Sequence, residues 1–232
     1  MASYNVHRWT GLNGRGKPDL ARAGAVIAEL DADIIALQEV LLPFDSAQSL
    51  EGLCDELGLH LAFAASRIHR RGELGNALLS RFPMTGINVF GLSSSRVERR
   101  SALAAQFDLG AVELGVVATH LSLVDRTRWR QVETLLKHSQ WNQGPAVLVG
   151  DMNAWRRCKA SQSLEDTLHR HNNVKWPATY PSTRPLFSLD RIYAWGADIS
   201  SVEAHDSKRA ARASDHLPVI AEVVLREEDR FC

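Results

Sequence analysis

Length, composition and charge set the first limits on what this chain can be. Its 232 residues, 45% of them hydrophobic, are enough to bury a full core and favour one domain over residues 1–232. The 27 Lys and Arg residues balance the 27 Asp and Glu residues, so no net field draws the chain to nucleic acid or to an anionic membrane. Any attraction to a polyanion must therefore be local.

Targeting segments and cysteine pairs are not expected. The first residues lack a charged stretch followed by an apolar one, and no segment reaches the roughly 18 apolar residues that a membrane span needs. Cys54, Cys158 and Cys232 are an odd number without metal-ligand spacing, which argues against a disulfide framework and against a structural zinc site. We expect a reduced, cytoplasmic protein that acts as a monomer.

Helix and strand patterns alternate along the chain. Apolar positions three and four residues apart predict helices over 20–30, after Pro18, and over 50–57, and a third helix is predicted over 125–141. Turn signals at Phe82-Pro83 and Leu109-Gly110 predict hairpins beside parallel crossovers, and hence two mixed sheets covered by helices. Short apolar runs rich in β-branched residues predict buried strands over 33–37, 76–79, 102–107, 115–119, 146–149 and 219–225.

An acidic residue follows the first of these strands. The segment from Asp33 to Glu39 is typical of an apolar strand that ends in a carboxylate. Hard cations such as Mg²⁺ prefer oxygen ligands, so Glu39 at the mouth of a strand is a candidate metal ligand. A solvated acid at the start of a loop is the ordinary alternative for Glu39 taken alone, and the other segments decide between the two.

A second apolar run leads into an acid and an amide. Residues 147–150 precede Asp151 and Asn153, and Gly150 permits close backbone approach. Asp151 can orient or deprotonate an attacking water, while the uncharged Asn153 amide can donate to a phosphoryl oxygen as negative charge develops there. The alternative is an Asx turn that caps the next helix.

Acids and imidazoles also lie beside later strands. Asp215 and His216 directly precede the strand over 219–225, and Asp190 could hydrogen-bond His216 and fix its tautomer. His120 closes the strand over 115–119 and could bond a phosphate oxygen or stabilise a leaving group. A surface-turn role for Asp190 and a structural role for His120 are the alternatives.

Taken together, these segments resemble the endonuclease/exonuclease/phosphatase superfamily of metal-dependent phosphoesterases, and they occur in that superfamily's order over nearly the whole chain. The resemblance implies a four-layer α/β/β/α sandwich and hydrolysis of a phosphate ester by direct attack of water, without a covalent enzyme intermediate. The matching segments are Tyr4-Asn5-Val6, Leu37-Gln38-Glu39, Gly75 to Arg81, Thr119-His120-Leu121, Gly150 to Asn153, Leu189-Asp190 and Ser214 to Pro218.

The resemblance also implies a metal site. It makes Glu39 the main metal ligand, with Asn5 beside it and Asp215 as a second acidic contributor. Mg²⁺ and Mn²⁺ share oxygen ligands, so either is the expected cofactor. His7 stands where some abasic-site endonucleases of the superfamily carry an acid, which argues against a DNA-repair role.

The remaining site residues are implied position by position in the same way. His216, paired with Asp190, would handle the phosphate. Asp151 resembles the acid that orients the water, and Asn153 resembles the amide that binds the phosphate. His120 resembles the extra imidazole of the deoxyribonuclease-like and phospholipase-like branches.

Basic residues concentrate in segments predicted to connect strands near the catalytic mouth. Arginine forks suit phosphate oxygens, so we assign Arg99 and Arg100 to substrate binding and expect a phosphate-ester substrate, either DNA or RNA or a phospholipid. Trp9, Trp129 and Trp155 lie in the same segments, where they could stack on bases, enter a lipid interface or pack loops against the core. Solvated loop charge is the alternative for the basic residues, which are Arg67, Arg70, Arg71, Arg96, Arg99, Arg100, Arg126, Arg128, Arg130, Arg156, Arg157, Lys159, Lys208, Arg209 and Arg212.

The function hypotheses come from different classes. The leading one is a divalent-metal-dependent phosphodiesterase, with a phosphomonoester substrate less favoured. The alternative is a catalytically silent phosphate- or nucleic-acid-binding module with the same fold, but its signature would be lost catalytic residues, and all of them are present. A zinc hydrolase that uses His120, His205 and His216 is weaker, because their spacing fits no zinc motif.

Overall fold

The structure, a computed structural model, describes residues 1–44, 49–92, 99–110, 112–168 and 174–225. Within these ranges its strands are β1 (Ala2–Asn5), β2 (Ile34–Pro43), β3 (His60–His69), β4 (Gly72–Ser80), β5 (Met84–Gly91), β6 (Ser101–Asp108), β7 (Glu113–His120), β8 (Ala146–Asp151), β9 (Asp190–Trp195), β10 (Ala197–Ala204) and β11 (Val219–Leu225). Its helices are α1 (Leu20–Leu30), α2 (Leu50–Leu57), α3 (Asp125–Leu136), α4 (Lys159–Leu168) and α5 (Ala210–Ala213).

The strands form two mixed sheets, as the sequence predicts. The first has the order β10-β11-β1-β2-β4-β3 and the second the order β5-β6-β7-β8-β9. In each sheet one neighbouring pair is parallel, β1 with β2 and β7 with β8, and the other pairs are antiparallel. Each parallel pair is joined by a crossover helix, α1 or α3, because a tight turn cannot connect parallel strands.

Three hydrophobic cores separate four layers. Helices α1, α2 and α5 cover the outer face of the first sheet, where Val26 and Ile27 of α1 are buried. The second core lies between the two sheets and contains Phe107 and Val149. The third lies between the second sheet and helices α3 and α4, and includes Leu135. The predicted four-layer α/β/β/α sandwich is therefore confirmed.

Helices α1 and α2 have the predicted bounds because capping residues stand at the start of each helix and at the end of α2. The Asp19 side chain accepts a hydrogen bond from the backbone N–H of Arg22 at the start of α1, and Ser49 accepts one from Gly52 at the start of α2. Helix α2 ends at Gly58, which has a φ of 65° and closes the last turn.

The sequence expectations about the end of the third helix and about the Phe82-Pro83 turn are wrong. The third helix stops at Leu136 instead of reaching residue 141, and a separate short 3₁₀ helix covers Ser139–Asn142. The Trp141 indole N–H donates to the Leu135 carbonyl, so a side chain satisfies a carbonyl at the end of α3. The Phe82-Pro83 turn does not close a hairpin, because β4 belongs to the first sheet and β5 to the second.

Within the described ranges, no helix combines the length and the apolar character that crossing a membrane requires. Cys54 and Cys158 are free thiols. Cys232 and the predicted basic residue Arg96 lie outside the described residues.

Candidate active site

The two sheets meet through polar side chains at the ends of their central strands. Asn5, the last residue of β1, donates from its Nδ2 to Oδ2 of Asp151, the last residue of β8, over 3.1 Å. His120 ends β7 and stands opposite Asp151 in the parallel ladder, with its Nε2 3.4 Å from the same oxygen. The parallel β1–β2 and β7–β8 pairs therefore bring the predicted residues of both sheets to one place.

His216 and Asp190 form the predicted pair. Asp190 begins β9 and stands opposite Asp151, and its Oδ2 lies 2.8 Å from Nδ1 of His216. The Thr179 hydroxyl donates to the same Oδ2 over 2.6 Å. The other ring nitrogen of His216, Nε2, is 3.8 Å from Oδ2 of Asp151, so the imidazole lies between the two buried carboxylates.

Burial and charge set the protonation of this cluster. Burial lowers the pKa of His216, but the hydrogen-bonded Asp190 carboxylate, followed by Asp151 and Asp215, raises it to about 10. Burial raises the pKa of Asp151 to about 7, although the His216 charge pulls the other way. Burial keeps the pKa of His120 well below its usual value, and Arg100 adds to this. The site therefore pairs a protonated His216 with a carboxylate that titrates near neutral pH.

Local backbone geometry places Asp151 and Asn153. Gly150 has a φ of 145°, and a Cβ there would lie 1.9 Å from the Thr119 carbonyl oxygen, so only glycine fits beside β7. Asn153 has a φ of 48°, its backbone N–H donates to Asp151 Oδ1 over 2.9 Å, and its Nδ2 donates to the Leu121 carbonyl over 2.9 Å. One Nδ2 hydrogen is thereby used, and the second meets no acceptor among the described residues.

Glu39 occupies a different backbone environment from the one that its sequence predicts. Strand β2 does not end at Glu39 but continues to Pro43, and its register with β4 shifts between Leu37 and Val40. Glu39 lies on this β-bulge with a φ of 53°. Bulges redirect a side chain relative to the regular pleat, and a positive φ in a residue with a Cβ is strained. The carboxylate that the sequence picks out is thus presented by an irregularity inside the strand.

A left-handed turn follows Asn5 and connects it to Asp215. His7, Arg8 and Trp9 have φ values of 44°, 58° and 62°. The backbone N–H of His7 donates to Asn5 Oδ1 over 3.0 Å, and its ring Nδ1 lies 3.1 Å from Asp215 Oδ1. Burial raises the pKa of Asp215, and the Glu39 carboxylate raises it further. In the sequence, His7 is notable only because some abasic-site endonucleases carry an acid there. In the structure, His7 links Asn5 and Asp215, two of the predicted metal ligands.

Two groups of side chains are chemically able to hold a divalent cation. Asp151, Asp190 and His216 offer ligand atoms within 4.8 Å of one another. However, His216 is hydrogen-bonded to Asp190 and its pKa is raised, and a protonated imidazole cannot ligate a metal. Asn5, Glu39 and Asp215 instead offer only oxygen atoms from two mutually repelling carboxylates and one amide, which is the donor set that Mg²⁺ and Mn²⁺ prefer.

The two predicted substrate-binding arginines differ in position. Arg100 is half-buried and close enough to His120 to affect its pKa, whereas Arg99 is exposed. The three tryptophans also separate. Trp9 is buried and donates to the Leu41 carbonyl over 2.6 Å, and Trp129 packs against the third core, so both serve packing.

Trp155 instead belongs to an aromatic wall that leads out from His216. The wall consists of Tyr180, Trp155 and Phe187. The Tyr180 ring lies 4.9 Å from the His216 ring, centroid to centroid, and Trp155 lies 5.2 Å from Tyr180 and 5.0 Å from Phe187. Trp155 and Phe187 are 39% and 36% exposed. Sequence reasoning missed Thr179 and Tyr180, because their segment has no apolar period that would place it beside the site.

Comparisons to known proteins show the family and the fold of this chain. The model of the Endonuclease/Exonuclease/phosphatase family matches residues 3–216, and the chain belongs to this family. Family members are typically hydrolases that act on phosphate esters and generally depend on a divalent metal. An uncharacterized protein of Escherichia coli K12, YbhP, is 28% identical over 249 residues, which cover 97% of this chain and 96% of YbhP.

Solved structures show the same fold at low sequence identity. The endonuclease/exonuclease/phosphatase from Beutenbergia cavernae has a TM-score of 0.78 and 23% identity, over 97% of this chain and 70% of that one. The mannosyl-6-phosphatase Bt3783 of Bacteroides thetaiotaomicron has a TM-score of 0.69 and 20% identity, over 97% and 98%. TDP2 of D. rerio, solved with a single-strand DNA product, has a TM-score of 0.68 and 14% identity, over 96% and 97%.

Proposed function

We propose that this chain is a divalent-metal-dependent phosphodiesterase that hydrolyses nucleic-acid or phospholipid-like phosphodiesters by direct in-line attack of water. The observation that carries the proposal is the buried cluster around Asp151, whose Oδ2 lies within 3.8 Å of Asn5, His120 and His216 side-chain nitrogens. A buried carboxylate costs several kcal/mol unless it is paired, so such clusters with perturbed pKa values are typical of active sites.

Each side chain of the cluster has a role that its geometry supports. The pKa of Asp151, about 7, suits a general base that accepts one proton from the attacking water oxygen. The protonated Nε2 of His216 and the second Nδ2 hydrogen of Asn153 are donors for phosphoryl oxygens, where negative charge grows as the water attacks. Asp190 acts through His216 as a positioning residue, because it holds the ring and its proton in place.

The metal would be held by Glu39, Asp215 and the Asn5 side chain. Bound there, Mg²⁺ or Mn²⁺ would supply positive charge that offsets the charge of the phosphate and of the departing oxygen. The strained bulge at Glu39 supports this role, since conformational strain of this kind is most common at functional sites.

Surfaces beyond the cluster favour a diester over a monoester. The aromatic wall of Tyr180, Trp155 and Phe187 can pack against an organic group that extends from a phosphate at His216. Arg100, near His120, adds positive charge for a further anionic part of the substrate. An ester with organic groups on both sides of the phosphate would use both surfaces.

The test compares hydrolysis of bis-p-nitrophenyl phosphate, p-nitrophenyl phosphate and plasmid DNA, each with EDTA, Mg²⁺, Mn²⁺ or Zn²⁺. We expect the diester to be cleaved faster than the monoester, with Mg²⁺ or Mn²⁺ but not with EDTA. Faster cleavage of the monoester would make the protein a phosphatase, and activity with Zn²⁺ alone would favour the zinc hydrolase. No cleavage of these substrates or of a phospholipid panel, despite normal metal binding, would favour the silent binding module.

A further inference from the structure

A basic pocket of about 260 Å³ is lined by Arg8, which also forms an ion pair with the proposed metal ligand Glu39. We call it the arginine pocket, and it lies between the segment that follows the left-handed turn and the connection from β3 to β4. Its lining residues are Arg8, Thr10, Gly14, Arg15, Leu41, His69, Arg70 and Arg71. No carboxylate lines it among the residues that the structure describes.

The walls of the arginine pocket are held together by specific contacts. Arg71 donates from Nη1 to the Gly16 carbonyl over 3.0 Å and so ties the β3–β4 connection to the N-terminal segment. Gly14 has a φ of 63°, and a Cβ there would lie 2.7 Å from His7 Nε2 and 2.8 Å from Arg8 Nη2. The backbone at Gly14 therefore lies close to the ends of the His7 and Arg8 side chains, and its positive φ favours glycine.

Carboxylates of the described residues compensate only part of the positive charge in the pocket. Arg8 has its Nε 3.4 Å from Glu39 Oε2. In the described parts of the chain, Arg15, Arg70 and Arg71 form no ion pair with a carboxylate, and Arg15 and Arg70 are exposed. Four like charges around one small cavity repel each other, and an anion with several acceptor oxygens relieves that repulsion.

Arg8 connects the arginine pocket directly to the proposed metal site. It is the middle residue of the left-handed turn His7–Trp9, a conformation that is unfavourable for residues other than glycine. The turn places the Arg8 Nε against Glu39 while its Nη2 lies beside Gly14 in the pocket. Only the Arg8 guanidinium group would thus separate an anion in the pocket from the carboxylate of Glu39, the proposed metal ligand.

We propose that the arginine pocket binds a second phosphate group of the substrate, one that is not hydrolysed. This inference rests on the proposed function and narrows it to phosphodiesters that carry a further phosphate near the scissile one. Such a group occurs in phosphorylated nucleotides and in phosphorylated lipid headgroups, and the pocket recognises the chemistry that they share. Arginine forks bind phosphate oxygens bidentately, so charge and geometry both suit the group.

The first arm of the test measures binding without turnover. Inorganic pyrophosphate is titrated calorimetrically, in EDTA, into the wild-type protein, the double variant Arg15→Glu/Arg70→Glu and the control Arg130→Glu. Arg130 is an exposed arginine of α3, on the outer layer of the other sheet. Each charge reversal replaces attraction for the anion by repulsion, so we expect the double variant to bind pyrophosphate at least about tenfold more weakly and the control to bind it normally.

The second arm measures turnover with matched substrates. Thymidine 5′-(p-nitrophenyl phosphate) is compared with its 3′-phosphorylated form, and phosphatidylglycerol with phosphatidylglycerol phosphate. The added phosphate should raise kcat/KM about tenfold in one of the two pairs. The pair that responds shows whether the second phosphate belongs to a nucleotide or to a lipid headgroup. The double variant should lose this gain but keep its rate on bis-p-nitrophenyl phosphate.

The outcomes separate the two proposals. Wild-type protein that fails to bind pyrophosphate, or a double variant that binds it normally, would overturn the arginine pocket as a phosphate site. An added phosphate that gives no advantage in either pair, in a protein that hydrolyses bis-p-nitrophenyl phosphate, would overturn its role in substrate binding. Normal pyrophosphate binding without any hydrolysis would keep the phosphate site and remove the proposed function.

Discussion

Replacing Asp190 by Asn is the perturbation that best probes how the site is organised. The change removes a buried charge 2.8 Å from His216 Nδ1 while it preserves the shape of the side chain. A hydrogen bond to a charged group contributes about 1.5–3 kcal/mol, and one pKa unit corresponds to about 1.36 kcal/mol. We therefore expect the pKa of His216 to fall from about 10 by roughly one to two units.

Catalysis should respond in two ways. Loss of the orienting carboxylate should lower kcat about 10²-fold, since a positioned acid or base contributes at least that factor. With the Nδ1 hydrogen bonded to Asp190, Nε2 of His216 can donate to a phosphoryl oxygen only when the ring is protonated. A lower pKa should therefore move the alkaline limb of the pH–rate profile to lower pH. NMR titration of the His216 ring and kcat measured across pH follow both effects.

A matched control separates the positioning role from a general effect of charge. Asp206 is an exposed acid after β10, and Asp206→Asn should leave the rate and the pKa of His216 unchanged. Thermal unfolding of both variants checks that the fold persists. If Asp190→Asn keeps kcat within about twofold of wild type and leaves the alkaline limb in place, the proposed role of the His216–Asp190 pair is wrong.

Three further predictions test other parts of the molecule. Arg99→Glu/Arg100→Glu should raise KM more than it lowers kcat in steady-state kinetics if these residues bind charge that does not react, and an unchanged KM would assign them to solvent. Glu39→Ala should weaken Mn²⁺ binding at least about tenfold by calorimetry, and unaltered binding would move the metal elsewhere. Glu29→Gln should lower the free energy of unfolding at pH 7. A hydrogen bond from Ser207 is the largest cause that lowers the pKa of Glu29 from 4.5 to about 2. The stability that the Glu29 carboxylate contributes is therefore complete above pH 4.5 and lost toward pH 2. The difference in the free energy of urea unfolding between wild type and Glu29→Gln should shrink between pH 5 and pH 3. A difference that stays constant over this range would contradict the prediction.

The sequence predicts the polar centre well because simple connectivity brings it together. Apolar strands that run into Asp151 and His120 are adjacent and parallel, so their ends must meet at one edge of the second sheet. Asn5 reaches the same point from the first sheet. The structure places these side chains together, but the roles assigned to all of the site residues stay predictions, as does the assignment of residues 1–232 to one domain.

Other features depend on conformations that sequence patterns do not encode. Strand β5 is mostly exposed, and its apolar residues Ile87, Val89 and Phe90 form no continuous run as long as those of the buried strands. The bulge at Glu39 and the left-handed turn at His7–Trp9 place ordinary residues at positive φ, where glycine would be the usual signal. The arginine pocket arises because that turn brings Arg8 toward Arg70, far away in the chain. The order of the four layers came from the family resemblance and not from periodicity.

The central claim is that Asp151 and a divalent metal act together on a phosphodiester. The most direct measurement is the rate of bis-p-nitrophenyl phosphate hydrolysis by wild type and Asp151→Ala, first in EDTA and then as Mn²⁺ is added back. We expect Mn²⁺ to restore the wild-type rate and the variant, still folded and still binding Mn²⁺, to be slower by about 10²-fold or more. Equal rates in the two proteins, or a wild-type rate that EDTA does not reduce, would contradict it.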